Sequence, residues 1–167
     1  MLYLKFFIFY SIIGFIFESS IYKIANSKSH SGILYGPYTI IYGFGGILSL
    51  YINNRLEIII NPYLNYLVSY ILFTILCTLT ELVGGYLINK IFNIDKWNYS
   101  NHKYHFGKYI CLDYSFIWGL LSLIFVKLLK NFFYQILTIV PNCIPIIIIF
   151  IMLIDLIISI KKDYFSK

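Results

Sequence analysis

Gly32-Ile33-Leu34-Tyr35-Gly36-Pro37-Tyr38-Thr39-Ile40-Ile41-Tyr42-Gly43-Phe44-Gly45-Gly46 is the stretch around which the rest of the chain is read. It runs on as an apolar segment through Ile52. Pro37 suits the first turn of a helix, where the N–H it lacks would have no partner anyway. Gly36 lets the backbone turn into that helix. At about 100° per residue, Thr39, Gly43 and Gly46 fall on one side of it and leave a face almost without side chains. In water so many glycines would weaken a helix. In a bilayer a small-residue face lets another helix approach closely, and packing contacts drive association there. Tyr38, Tyr42 and Phe44 flank the smooth face. Gly36, Gly43 and Gly46 are therefore expected to serve helix packing, with a solute path beside the bare backbone as the functional alternative.

Composition points the same way. Of the 167 residues, 60% are hydrophobic and 12% charged, against about 25% charged in a soluble domain. Mean hydropathy is +0.80. The sequence predicts an all-α polytopic membrane helix bundle forming one integral membrane domain over residues 1–167. The net charge of +6 is spread over the loops between apolar runs. That pattern orients a chain in a lipid bilayer and gives no reason to expect nucleic acid. Cys77, Cys111 and Cys143 are far apart and form no C-x-x-C pair, so no metal site and no disulfide framework is expected.

Working outward, about 20 apolar residues are needed to cross the hydrocarbon. Five spans are predicted, at about residues 2–24, 34–53, 66–92, 109–129 and 142–160. The apolar run at 132–140 is too short to cross, and Pro141 and Pro145 interrupt it, so an interfacial or re-entrant piece is expected there. With the N-terminus outside, nine basic residues fall inside, Lys28 and Lys167 among them, against four outside. The positive-inside rule then places the C-terminus in the cytoplasm.

Four acids interrupt the apolar runs: Glu18, Glu81, Asp113 and Asp155. Glu81 is the deepest, about 16 Å along its helix from Phe92 at 1.5 Å per residue. An ionisable group at membrane depth must face protein or water and find a partner. Glu18 and Glu81, with Tyr42 and Trp118, are the candidate ligands for a substrate or ion. The alternative is that each carboxyl is hydrogen-bonded and only holds helices together. Residues 93–108 mix aromatic, basic and histidine side chains, and Trp97, Tyr99 and Ser100 are candidates for docking a cytoplasmic partner. His30, His102 and His105 lack an i, i+4 pair, which argues against a metal site.

Several segments carry a family resemblance. They are Tyr10-Ser11-Ile12-Ile13-Gly14 with Glu18, then Gly32, Gly36-Pro37 and Ile41-Tyr42-Gly43-Phe44-Gly45. Thr80-Glu81 and Trp97-Asn98-Tyr99-Ser100 follow, and then Ile110-Cys111-Leu112, Ser115 and Trp118-Gly119. In this order they resemble the Putative ABC-transporter type IV family, the CmpB-like permeases of bacterial membranes. The chain departs from that pattern at Asn98, at Thr39-Ile40 and at residues 105–108. The resemblance implies a small multi-span permease of the inner membrane, without cofactor and without enzymatic activity. No G-x-x-x-x-G-K-[ST] phosphate loop occurs in the sequence, so a separate ATPase subunit is the expected partner. A homo-oligomer or a partner permease is expected to complete the pore. Two other classes stay open: an assembly protein whose acids are structural, and an intramembrane enzyme built on Glu81, Ser100 and His105.

Overall fold

A computed structural model describes residues 1–24, 31–59 and 61–165 of the chain. Lys28, His30 and Lys167 lie outside the described residues, as does most of the link after the first span. Six α-helices run in chain order: α1 (Leu2–Ile24), α2 (Ile40–Ile59), α3 (Pro62–Phe92), α4 (Leu112–Leu123), α5 (Lys130–Ile139) and α6 (Cys143–Phe165). Among the described residues the remaining regular structure is a small hairpin, β1 (His105–Phe106) and β2 (Ile110–Cys111), and a π-helical turn at Ile124–Leu128 that continues α4. The fold is an all-α membrane helix bundle.

Among the described residues, three helices are long and apolar enough to cross a bilayer: Leu2–Ile24, Pro62–Phe92 and Cys143–Lys162. Leu112–Leu128 and Lys130–Ile139 make a fourth if the bent pair is one span; the bend between them is 62°. The second expected span is not in this set. Its helix begins at Ile40 rather than near residue 34, and it continues to Ile59 through Asn53, Asn54, Arg55 and Glu57. Pro37 therefore precedes the helix instead of opening its first turn, and the count of five spans is approximate.

The chain divides into two compact units, Met1–Phe44 with Gln135–Lys167, and Gly45–Tyr134. In the first unit, Ile8, Tyr38 and Met152 form a buried core, with Phe7, Ile12 and Ile148 packed against it. The Lys5 ammonium is buried and donates a 2.6 Å hydrogen bond to the carbonyl of Val140. Pro141 follows at the end of α5, where terminal carbonyls lack helical partners, and the lysine supplies one.

The second unit is organised by α3, which contacts α4 along its length. Asn65, Ser69, Phe73, Glu81 and Gly85 on α3 are buried, and Cys77 is half-buried in the same series. These six positions are four apart, so neighbours in the series are adjacent and together they make a stripe that winds about 40° per step round the helix. Leu67, Ile71, Ile75, Leu79, Val83 and Leu87 form the exposed series. It is offset by two residues, about 200° round the helix. The helix is thus polar toward protein and apolar outward, the arrangement lipid demands. Gly119 of α4 lies where a Cβ would collide with Thr74, so the two helices approach closely there.

Candidate functional site

Glu81 sits on the inward face of α3 with 6% of its surface exposed. Two elements supply its partners. The residues after α3 turn sharply because Asn93 caps the helix in the left-handed conformation, φ 55°, and its N–H returns to the carbonyl of Asn89. The following segment is tied down at both ends. Asp95 accepts hydrogen bonds from Asn89 Nδ2 (2.9 Å), Lys108 Nζ (2.9 Å) and Tyr109 Oη (2.7 Å). The Tyr99 N–H donates to the carbonyl of Lys108 at 2.8 Å. β1 and β2 pair antiparallel around Gly107, whose φ of 63° favours glycine. The Leu112 N–H, at the start of α4, donates to the carbonyl of Tyr104.

That framework turns Tyr99 inward. Its phenol donates a 2.7 Å hydrogen bond to Glu81 Oε1, and its ring stacks on Tyr114 with centroids 4.9 Å apart. From α4, the Trp118 indole N–H reaches the same Oε1 at 3.3 Å. Glu81 Oε2 is buried and has no hydrogen-bond partner among the described residues. The result is a carboxylate with one oxygen positioned by two donors and the other oriented into the protein. Such an oxygen can accept a hydrogen bond or bind a cation.

Trp97 packs edge-on to Tyr109 and lies over Gly85, where a Cβ would come 2.8 Å from the Tyr109 ring and 3.2 Å from the indole. Ser100 is exposed, and its N–H and hydroxyl both bond to Asn98 Oδ1. Of the three expected docking residues, only Ser100 faces outward. Tyr99 supports Glu81, and Trp97 is half-buried. The exposed aromatic side chains here are Tyr104 and Phe106. Ser100, His105 and Glu81 have separate partners, His105 Nδ1 pairing with the carbonyl of His102. Among the described residues no three His, Cys, Asp or Glu side chains are placed to hold a metal ion.

Outside the spans, the Asp95 carboxyl is held below its ordinary range by the Lys108 and Tyr109 hydrogen bonds, and the Lys108 ammonium is held above its own by Asp95. Both groups are exposed, so the pair fixes local geometry more than it stabilises the fold.

Glu18 lies in the first unit and is half-buried. Tyr22 Oη (3.0 Å) and Ser31 Oγ (2.7 Å) both donate to it. Ser31 Oγ is also 3.2 Å from Thr39 Oγ1. Tyr42 covers Gly14 of α1 so closely that a Cβ there would collide with its ring. Gly43 meets Ser11 and Phe7 of the same helix, and the Thr39 N–H donates to the Ser11 carbonyl at 2.9 Å. A Cβ at Gly36 would strike the Tyr38 ring. Gly36 lies before α2, and Gly46 lies within it, half-buried.

Asp155 of α6 is the carboxylate whose role the sequence least disclosed. It accepts hydrogen bonds from the N–H groups of Tyr35 (3.1 Å) and Gly36 (2.8 Å), from the Tyr38 hydroxyl and from Ser159 Oγ (3.3 Å). These bonds tie residues 35 and 36 to α6. The Tyr38 N–H bonds to the Gly36 carbonyl and the Thr39 N–H to the Ser11 carbonyl, so the donors that would begin a ladder from residue 34 are used elsewhere and α2 starts later.

A family model described as Putative ABC-transporter type IV matches residues 5–160. No curated protein and no solved structure gave a match. The chain belongs to the Putative ABC-transporter type IV family.

Proposed function

We propose that this member of the family is the membrane-embedded permease subunit of a transporter for a small solute, and that Glu81 is its ligand-binding carboxylate. The observation that carries the reading is the Glu81 geometry: a carboxylate buried in the second unit, oriented by Tyr99 and Trp118, with Oε2 lacking a partner among the described residues. A purely structural carboxyl would be expected to use both oxygens, because an unpaired buried acceptor is destabilising. Glu18, by contrast, has donors on both oxygens, which favours a packing role for it and for Tyr42.

The sequence has no phosphate loop of its own, so energy comes from a separate ATPase. The chain lies in the cytoplasmic membrane with its N-terminus outside and its C-terminus in the cytoplasm, following its basic residues. Residues 93–108 then face the cytoplasm. Tyr104 and Phe106, 53% and 79% exposed, present the docking face together with Ser100. A second copy or a partner permease completes the pore.

The test is purification of the tagged chain from its own cells in mild detergent, with mass spectrometry of what accompanies it. A stoichiometric ATPase is expected, and Phe106→Glu is expected to release it while the chain still accumulates. A preparation without any ATPase, in a detergent that preserves known transporters, would overturn the permease reading in favour of an assembly role. An ATPase retained by both Phe106→Glu and Tyr104→Glu would remove the hairpin as its docking face.

A further inference from the structure

Three helices of the second unit each turn a pair of polar or polarisable side chains inward at i, i+4 spacing, which places both members of a pair on one helix face. On α2 the pair is Ser49 and Asn53, both fully buried. On α3 it is Cys77 and Glu81, and on α4 it is Trp118 and Ser122. One member of the α2 pair and one of the α4 pair reach Cys77: the Ser49 and Ser122 hydroxyls both lie beside its thiol, and Trp118 bonds to Glu81 one turn further along α3. Serine and asparagine turned inward also serve helix packing; an ionisable group at this depth, as Glu81 is, marks a path or binding site by default.

The state of their hydrogen bonds sharpens this. Glu81 Oε2, Asn53 Oδ1 and the hydroxyls of Ser49 and Ser122 are buried without a nitrogen or oxygen partner among the described residues. Asn53 uses its amide N–H toward Glu57, at 2.9 Å, which leaves its carbonyl oxygen over. Of these, Asn53 lies toward Glu57 and Lys130, whereas the Glu81 carboxylate can only accept, and a hydroxyl can do so as well. A buried carboxylate oxygen without a partner among the described residues, with two hydroxyls one turn away, matches a species that brings donors and positive charge. Phe73 lies one turn from Cys77 on the same face of α3 and is completely buried. It separates this group from Asn65 and Ser69, where the Lys127 ammonium donates to Asn65 Oδ1. The cationic end of the α3 face is thereby divided from the anionic end by an aromatic ring.

We infer that the polar group formed by Ser49, Cys77, Glu81 and Ser122 is a water-accessible site for a small cation or a protonated amine, closed toward Asn65 and Lys127 by Phe73. The inference rests on the reading of Glu81 as a ligand carboxylate and adds the chemical class of the ligand and the remaining residues that receive it.

Cys77 is a native reporter at the centre of the site. The experiment treats membranes containing the full-length chain with two methanethiosulfonate reagents of similar size, one bearing an ammonium group and one a sulfonate. Peptide mass spectrometry then follows the modification of each cysteine. Relative to a small free thiol in water treated with the same two reagents, Cys77 is expected to favour the cationic reagent by a further factor of roughly ten, as a field focused by one carboxylate would produce. Glu81→Gln is expected to abolish that preference, and Phe73→Leu to speed both reactions. Ser122→Cys, a second reporter, should show the same preference. If Cys77 and a cysteine at 122 resist both reagents in membranes yet react after unfolding in detergent, the site is closed to water and the inference fails. A rate ratio no greater than that of the free thiol, or a preference that survives Glu81→Gln, would overturn the cation assignment. Labelling does not depend on an ATPase. A cation preference in a chain that purifies alone would therefore keep this site while removing the permease reading, and an ATPase-bound chain with inert Cys77 would do the reverse.

Discussion

The Tyr99 phenol lies 2.7 Å from Glu81 Oε1 and so connects the segment after α3 to the interior of that helix. A hydrogen bond to a charged group contributes about 1.5–3 kcal/mol. Tyr99→Phe removes it and leaves only the longer bond from Trp118. The variant is expected to lower the thermal midpoint of the detergent-purified protein. Glu81→Gln keeps an acceptor for both donors, so that chain should accumulate and stay folded while failing to complement cells that lack the wild type. Normal complementation by Glu81→Gln would end the assignment of Glu81 as a ligand.

The Asp155 carboxylate gathers two backbone N–H groups and two hydroxyls onto α6. Asp155→Ala strands these donors, each unsatisfied group being worth about 1–3 kcal/mol. Amide hydrogen exchange at Tyr35 and Gly36 is expected to accelerate strongly, with Asp155→Asn intermediate because its carbonyl oxygen still accepts. Unchanged protection at those two amides in Asp155→Ala would show that the contact contributes nothing.

These two carboxylates also mark how far the sequence could be read. Helices α1, α3 and α6 follow from unbroken apolar runs, and Glu81 stood out as a charge inside one of them. The start of α2 did not follow. It depends on the Thr39 N–H, which bonds to the Ser11 carbonyl of α1 instead of beginning a ladder, and no local pattern of glycine and proline encodes that bond. The far end was misplaced for a related reason. Asn53 looks like a boundary, yet the helix continues because Asn53 and Lys130 both bond to Glu57. Tyr99 resembled a docking residue because aromatics in a polar loop suit an interface. Its inward turn depends on the backbone tie to Lys108 and on Tyr114. The α3 face, spaced every four residues from Asn65 to Gly85, was legible in principle, but Phe73 and Cys77 in the middle conceal it as ordinary apolar sequence.

The glycines of α1 and α2 separate close packing from mere abundance. A Cβ at Gly43 would collide with Ser11 and Phe7, and one at Gly14 with Tyr42, whereas one at Gly45 meets nothing within 4 Å. Gly43→Ala and Gly14→Ala are therefore expected to destabilise the first unit. Gly45→Ala should be neutral or stabilising, since glycine inside a helix is less favourable than alanine by roughly 0.5–1 kcal/mol. Thermal unfolding of the three variants in one detergent provides the comparison. Equal loss at all three positions would mean that general helix flexibility, not contact with α1, requires glycine here.

The Asp95–Lys108 pair gives residues 93–108 a dependence on pH whose sign is fixed by the two shifts. The aspartate is more acidic in the folded chain than in the unfolded one. Its contribution is present above the ordinary aspartate value, about 3.9, and is lost as pH falls through the lower folded value. The lysine is more basic when folded. Its contribution is present below the ordinary lysine value, about 10.4, and is lost as pH rises through the higher folded value. Between these limits the segment should keep its geometry. Below the lower limit, protease cleavage within residues 93–108 should increase, and about 1 M salt should reproduce part of the effect, because the pair is exposed. Asp95→Asn should be cleaved readily at neutral pH and lose the acid transition. If it shows the wild-type acid transition instead, another group governs the segment. The consequence reaches Glu81, because Tyr109 donates to Asp95 and Tyr99 is anchored on the Lys108 backbone. Loosening at this exposed pair should therefore weaken the hydrogen bond that orients the buried carboxylate, and Asp95→Asn should make Cys77 less selective toward the cationic thiol reagent.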